Sequence, residues 1–276
     1  MNKTYRVILD VIWYLILFVL LQLLVTYAVN TVALLFNNMP FGAAIKYAAT
    51  HPILSSTTLI VSSAISSALT ILVFVLFKFT LVSKSYLRSK PWASLFWVVL
   101  LALGTILPST WLMEQMEIEV PTAVERMLTA LMGDRWGYLT VGILVPIAEE
   151  LVFRGAILRS LQKVFTNRWI AICLSAVVFA LVHGNMAQLP HAFIMGILLG
   201  WLFVRTNSII PGVVLHWVNN SVVFVMYNLL PNSANEHLID LFGGNQRAVW
   251  MSLLFSLCIL LPSLFQLTVR LKKAKE

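Results

Sequence analysis

The stretch Val145-Pro146-Ile147-Ala148-Glu149-Glu150-Leu151-Val152-Phe153-Arg154-Gly155 decides how the rest of the chain is read. It sets two adjacent carboxylates and an arginine inside a run that is otherwise apolar over about residues 138–160. At the centre of a bilayer each such charge costs at least ~2.5 kcal/mol on insertion scales, so an intramembrane glutamate is a functional-site hypothesis by default. Of the chain's 11 acidic residues, only Glu149 and Glu150 lie deep within an apolar run. Helical spacing then separates them. Glu150 and Arg154 stand four apart on one face, which predicts an ion pair, whereas Glu149 is turned away by about 100° and left available. Pro146 cannot donate to the carbonyl of Gly142, so the helix is expected to kink there and expose polar backbone. In lipid such backbone is tolerated only inside protein or beside a water-filled cavity, which predicts a wet pocket around Glu149.

Around this stretch, 276 residues with 60% hydrophobic and 11% charged composition exclude a soluble globular core and indicate a polytopic membrane protein. The expected fold is all-α, a transmembrane helix bundle of about eight spans near residues 7–35, 57–82, 92–113, 138–160, 169–184, 189–206, 209–230 and 249–271. The first run is too long for a signal-peptide core and reads as a retained anchor. The Ser- and Ala-rich stretch at residues 62–68 suits close helix approach, as does Gly196-x-x-x-Gly200. Between residues 114 and 137, Val120, Ala123, Val124, Met127, Leu128 and Leu131 recur at helical spacing, which predicts an amphipathic connector at the interface. Three regions follow: 1–137 with three spans and the connector, a four-helix core at 138–230, and 231–276 with the last span and a basic tail.

The net charge of +8 does not indicate nucleic acid, because the basic residues are scattered at segment ends instead of forming a patch. They read as topology signals. With the N-terminus inside, 14 lysines and arginines fall at cytoplasmic ends, against 4 outside (Lys46, Arg126, Arg135 and Arg247). Both termini are therefore expected in the cytoplasm. Cys173 and Cys258 lie within apolar runs and read as packing residues.

Two further polar motifs follow the glutamates on separate apolar segments. Phe179-Ala180-Leu181-Val182-His183 places Phe179 and His183 on one helix face, and His216-Trp217-Val218-Asn219-Asn220 does the same for His216 and Asn220. Each alone is as well explained by an interfacial histidine or by helix-helix hydrogen bonding. Together they supply what amide hydrolysis requires. Glu149, assisted by His183, could activate a water, while His216 and Asn220 could donate to the developing oxyanion, with no covalent nucleophile. The same four side chains, Glu149, His183, His216 and Asn220, could instead ligate zinc or another divalent metal. Water activation without an obligatory cofactor is the reading placed ahead. His51, His191 and His237 fall in or beside expected loops and receive no chemistry.

The pattern Glu149-Glu150-x-x-Phe153-Arg154-Gly155, Phe179-Ala180-x-x-His183 and His216-x-x-x-Asn220 resembles the type II CAAX prenyl protease and bacteriocin-processing (CPBP, or Abi) family of intramembrane proteases. The resemblance covers residues 138–230. It implies that Glu149 and His183 activate water, that His216 and Asn220 form the oxyanion hole, and that Glu150 and Arg154 are structural support. It further implies an intramembrane endopeptidase, described in the family both as glutamic-type and as metal-dependent. Its substrate would be a peptide precursor or membrane-protein tail, lipidated or not, presented from the cytosol in CAAX-processing relatives. The composition looks bacterial, which favours the cell membrane and peptide processing or self-immunity. Site-2-type, Gly-x-Ser-x-Gly and Gly-x-Gly-Asp protease plans are excluded by missing motifs. The rival reading is a non-catalytic membrane immunity or partner-binding protein that needs Glu149 only for packing. Rise per residue puts Glu149 ~17 Å from Tyr138 and His183 ~22 Å from Arg168, which tilts the site toward the outer side.

Overall fold

The computed structural model describes residues 2–51, 55–80, 84–230 and 237–271, and all regular structure among them is helical. The elements are α1 (Lys3–Phe36), α2 (Phe41–Thr50), α3 (Ser56–Leu76), α4 (Lys84–Arg88), α5 (Trp92–Gln115), α6 (Thr122–Met132), α7 (residues 135–161), α8 (Arg168–Val182), α9 (Leu189–Thr206), α10 (Ile210–Leu229), α11 (Leu238–Leu241) and α12 (Gln246–Arg270). Six of them, α1, α3, α5, α9, α10 and α12, are long and apolar enough to cross a bilayer. With α7 and the shorter α8, these make up the expected eight-helix bundle. The protein is an integral multi-pass membrane protein. Its exposed surface is correspondingly apolar, with Leu23, Leu76, Leu181 and Phe265 all more than half exposed.

Boundaries differ where local chemistry overrides hydropathy. Helix α3 ends at Leu76, because Lys78 takes a left-handed backbone (φ 57°) and the chain turns back on Phe74 through Phe79 N–H. The apolar run continues to residue 82, but its last residues lie outside those described, as does the basic tail Lys272, Lys273 and Lys275. Helix α12 starts at Gln246, three residues early, because Asn245 Oδ1 accepts from the N–H groups of Arg247 and Ala248. Helix α2 had no counterpart in the sequence reading. Its buried face is only Ala44 and Ala48 against Leu34, too small an apolar stripe to register as an element.

Small residues set the helix spacing as expected. A Cβ on Gly196 would meet the backbone of Ala176 on α8, and one on Gly200 would meet Ile172, so α8 and α9 approach at van der Waals limit. Ser62, Ser66 and Ser67 are buried on α3, which packs on α1 and α7. The bundle has two distinct ends. At one, Tyr14 packs on Phe74 and Phe79, Gly155 closes on Thr80 and Ile209, and Arg205 donates to the carbonyl of Thr268. Arg6, Lys78, Arg88, Lys90, Arg159, Lys163, Arg168, Arg205 and Arg270 belong to this end. At the other end, Asn228 Nδ2 donates to Met132 O (2.9 Å), tying α10 to α6, and Glu114 accepts from Leu238 N–H (2.7 Å). Glu114, Glu117, Glu119, Glu125, Asp134 and Asp240 lie here.

Helices α5 and α12 pack most closely at Gly104, where an added Cβ would lie 2.8 Å from Leu260 N. Gly104→Val is expected to destabilise by about 1–3 kcal/mol through overpacking, read as a lower unfolding temperature of the detergent-solubilised protein. Wild-type thermal stability in that variant would contradict the close approach.

Candidate active site

The composite helix α7 carries the glutamates and is not a uniform α-helix. Residues 138–144 and 150–158 run in π-helical register on either side of a short α-helical piece, Val145–Glu149. In this register an N–H bonds the carbonyl five residues back, and Val145 N–H does so to Thr140 O. The next residue is Pro146, with no N–H to give, so the carbonyl it strands is that of Val141 and not of Gly142. The α-helical spacing assumed from sequence placed the orphan one residue off. Asn220 Nδ2 on α10 donates to Val141 O at 2.9 Å and satisfies it. Asn219 Nδ2 in turn donates to Asn220 Oδ1 (3.2 Å), which fixes the amide's orientation. Nearby, Tyr138 hydroxyl pairs with Ser221 Oγ and accepts from Trp217 Nε1, both at 3.1 Å, locking α7 to α10.

The predicted ion pair is present and buried. Arg154 Nη1 donates to Glu150 Oε1 at 2.8 Å, with side-chain exposures of 1% and 0%. The guanidinium also lies over the ring of Phe179, 4.3 Å from its centroid, and donates through Nη2 to Gly196 O (3.4 Å). The other carboxylate oxygen, Oε2, faces Gly212, where a Cβ would intrude to 2.6 Å. Gly212 lies in the first turn of α10, whose positive dipole end favours a carboxylate.

Glu149 differs from its neighbour by facing a cavity of about 480 Å³ that His183, His216, Asn219 and Asn220 also line. Its side chain is 15% exposed, and its Oε2 lies 3.7 Å from His216 Nε2. The opposite edge of that ring, Nδ1, lies 3.3 Å from Glu150 Oε1. A carboxylate held by Arg154 only accepts, so Nδ1 carries a proton and donates it to Glu150. His216 thus contacts Glu149 directly, while His183, expected from sequence to assist Glu149 in activating water, lines the same cavity. His183 Nδ1 lies 2.8 Å from the carbonyl oxygen of Phe179. A carbonyl also only accepts, so Nδ1 is the protonated nitrogen and Nε2 of the neutral ring is a lone pair. His183 is the last residue of its helix because Gly184 takes a left-handed backbone (φ 62°), which ends α8 at the cavity. All four predicted site residues, with Glu150 and Arg154, are therefore gathered into one region.

Over residues 132–222 the chain matches the family described as type II CAAX prenyl endopeptidase, Rce1-like. That segment resembles an Rce1-like domain. It holds every residue of the three motifs. Curated relatives include UPF0177 protein YxdF of Lactococcus lactis, 36% identical over 28% of this chain and 41% of its own length. Membrane-embedded CAAX protease MroQ of Staphylococcus aureus is 29% identical over 35% of this chain and 41% of its own. Putative membrane peptidase YdiL of Bacillus subtilis is 33% identical over 30% and 34%. The aligned region thus spans less than half the length of each relative. No solved structure matches.

One residue given no chemistry from sequence joins the cavity. His191, expected in or beside a loop, stands in the first turn of α9, lines the cavity, and lies within electrostatic reach of both His183 and His216. Its ring makes no hydrogen bond among the described residues. Only the brevity of the turn at residues 184–188 could have signalled that the next helix begins beside His183.

The buried pair generates a stability prediction. Arg154→Leu strands Glu150 and is expected to cost about 3–5 kcal/mol, whereas the double variant Glu150→Leu/Arg154→Leu recovers most of that loss, read by thermal unfolding in detergent. Equal losses in single and double variants would mean the pair is not the source.

Proposed function

We propose that the protein is an intramembrane endopeptidase that hydrolyses a peptide bond of a peptide precursor or membrane-protein segment, lipidated or not. The observation carrying this reading is the 3.7 Å approach of Glu149 Oε2 to His216 Nε2, in an apolar-walled cavity that His183 also enters. Apolar walls from Leu128, Met132, Val145 and Met195 suit an unfolded apolar stretch of substrate. The polar groups converge at the cavity's inner end, as in binding sites generally.

The chemistry assigns Glu149 as general base. A water within hydrogen-bond reach of Glu149 and of the His183 Nε2 lone pair loses its proton as its oxygen attacks the carbonyl carbon, and the proton passes to the departing amine. His216 and Asn220 stabilise the oxygen charge that develops. An oxyanion role requires a proton on His216 Nε2. With Nδ1–H committed to Glu150 the ring is then an imidazolium, and the two carboxylates at 3.3 and 3.7 Å balance its charge. Asn220 has one amide hydrogen on Val141 O, which leaves the second free to donate. No covalent intermediate is formed. No group of three or more His, Cys, Asp or Glu side chains among the described residues has metal-ligating geometry. The chemistry of the set nevertheless suits zinc, so Glu149, His183 and His216 would be the ligands if a metal takes part, acting as Lewis acid on the water.

Purified wild-type protein is expected to cleave a panel of quenched peptides with lipidated and free side chains. Glu149→Gln should abolish cleavage without lowering the unfolding temperature, and His183→Ala should reduce the rate by about 10²–10⁴-fold. Activity that survives chelator supports the glutamate mechanism, and activity lost to chelator and restored by zinc assigns a metal. Cleavage undiminished in Glu149→Gln would end the peptidase reading. His191→Ala should lower the rate and shift its pH profile, while His191→Leu at similar fold stability should do the same. An unchanged profile in both would show that the third imidazole only fills space.

A further inference from the structure

The position of the cavity's mouth follows from which helix ends line it. Beyond Glu149 the walls come from α6 (Glu125 and Leu128), the turn into α9 (Gln188 and His191), and the last turns of α10 (Val223 and Tyr227). These are the helix ends opposite the N-terminus of α1 and the C-terminus of α12. The inner end of the site is sealed: Glu150 and Arg154 are wholly buried, and behind them Gly155 is closed by Thr80 and Ile209. The basic side chains gather at that sealed end, while the acidic ones gather around the mouth. Lysine and arginine bias marks the cytoplasmic side, and acidic residues carry little weight in that rule. The sealed end is therefore cytoplasmic.

We infer that the catalytic cavity opens to the extracytoplasmic side of the membrane, so that its substrate class is a secreted peptide or an extracytoplasmic membrane-protein segment. This contrasts with cytosolic presentation, which the family resemblance implies. Helix α6 places the mouth at a membrane interface, and the lysine and arginine bias decides which one. It is amphipathic, with Leu131 and Met132 buried and Glu125 and Arg126 exposed, and its C-terminal end is pinned over the mouth by Asn228. A helix of this kind lies in a membrane interface, with its apolar face toward the acyl region. The cavity lies directly under that interfacial helix, on the side of residues 114–137. An apolar segment sliding along the outer leaflet thus meets Val120 and Leu128 before it reaches Glu149.

The sidedness does not depend on the peptidase reading; the substrate class does. The test uses the full chain carrying Cys173→Ala and Cys258→Ala, with Glu125→Cys or Met186→Cys at the mouth and Lys163→Cys at the sealed end, all three positions being exposed. In intact cells a membrane-impermeant maleimide is expected to label Glu125→Cys and Met186→Cys fully and Lys163→Cys only after permeabilisation. The reverse pattern overturns the sidedness. A charged quenched peptide cleaved by the solubilised protein should then be cleaved by right-side-out vesicles, with loss of cleavage in inverted vesicles and in Glu149→Gln. Cleavage by inverted vesicles alone overturns the substrate class. No cleavage by solubilised protein removes the peptidase reading and leaves the labelling result standing.

Discussion

The Glu150–Arg154 pair is the constraint on which the rest of this molecule depends. Two ions without water are costly, and their attraction compensates only when the remaining hydrogen-bonding capacity is met. Here the surroundings meet part of it, and Glu150 Oε2 and Arg154 Nε stay buried without a hydrogen bond among the described residues. Arg154 reaches Gly196 O on α9 and the face of Phe179 on α8; Glu150 reaches His216 and the first turn of α10. One buried pair thus takes a partner from every other helix of the core. Removing either ion disturbs four helices at once, while the glutamate beside it is spared that work and keeps its lone pairs for the cavity.

Phe179 shows how the three motifs become one object. Its ring meets Phe153, His183 and His216 edge-on, at centroid separations of 5.1, 4.9 and 6.0 Å, and takes the Arg154 guanidinium on its face. Its backbone carbonyl also fixes the His183 tautomer. The aromatic of the second motif therefore sets the spacing between the glutamate helix and the histidine helices. A smaller side chain there would loosen both imidazoles relative to Glu149 without touching substrate.

Much of this was legible in the sequence for identifiable reasons. Charge inside an apolar run costs enough that Glu149, Glu150 and Arg154 stood out, and i,i+4 spacing separated paired from free glutamate correctly. Hydropathy located six helices of bilayer length together with α7 and the shorter α8, because lipid leaves so few alternatives. What failed was register and direction. The π-helical turns changed which carbonyl Pro146 strands, and no sequence period announces a π-bulge. The approach of His216 to Glu149 depends on how α10 packs against α7, which side-chain type does not encode. His191 escaped because a histidine in a helix's first turn beside a loop looks interfacial until the packing of its helix against α8 and α10 is known.

How the glutamate and the histidine come together rests on backbone behaviour. Glu149 lies 11 residues after Tyr138 in α7, and α8 ends beside His183, so two helices that cross the bundle in opposite directions bring both residues to the cavity. Gly184 stops α8 at the cavity, and Pro146, whose missing N–H leaves Val141 O without a helical partner, lets Asn220 cross to α7. Two residues chosen for their backbone behaviour, a glycine that tolerates positive φ and a proline that cannot donate, therefore fix how deep the polar chemistry lies. The carboxylates and imidazoles supply the reactivity, but the backbone exceptions decide that they meet.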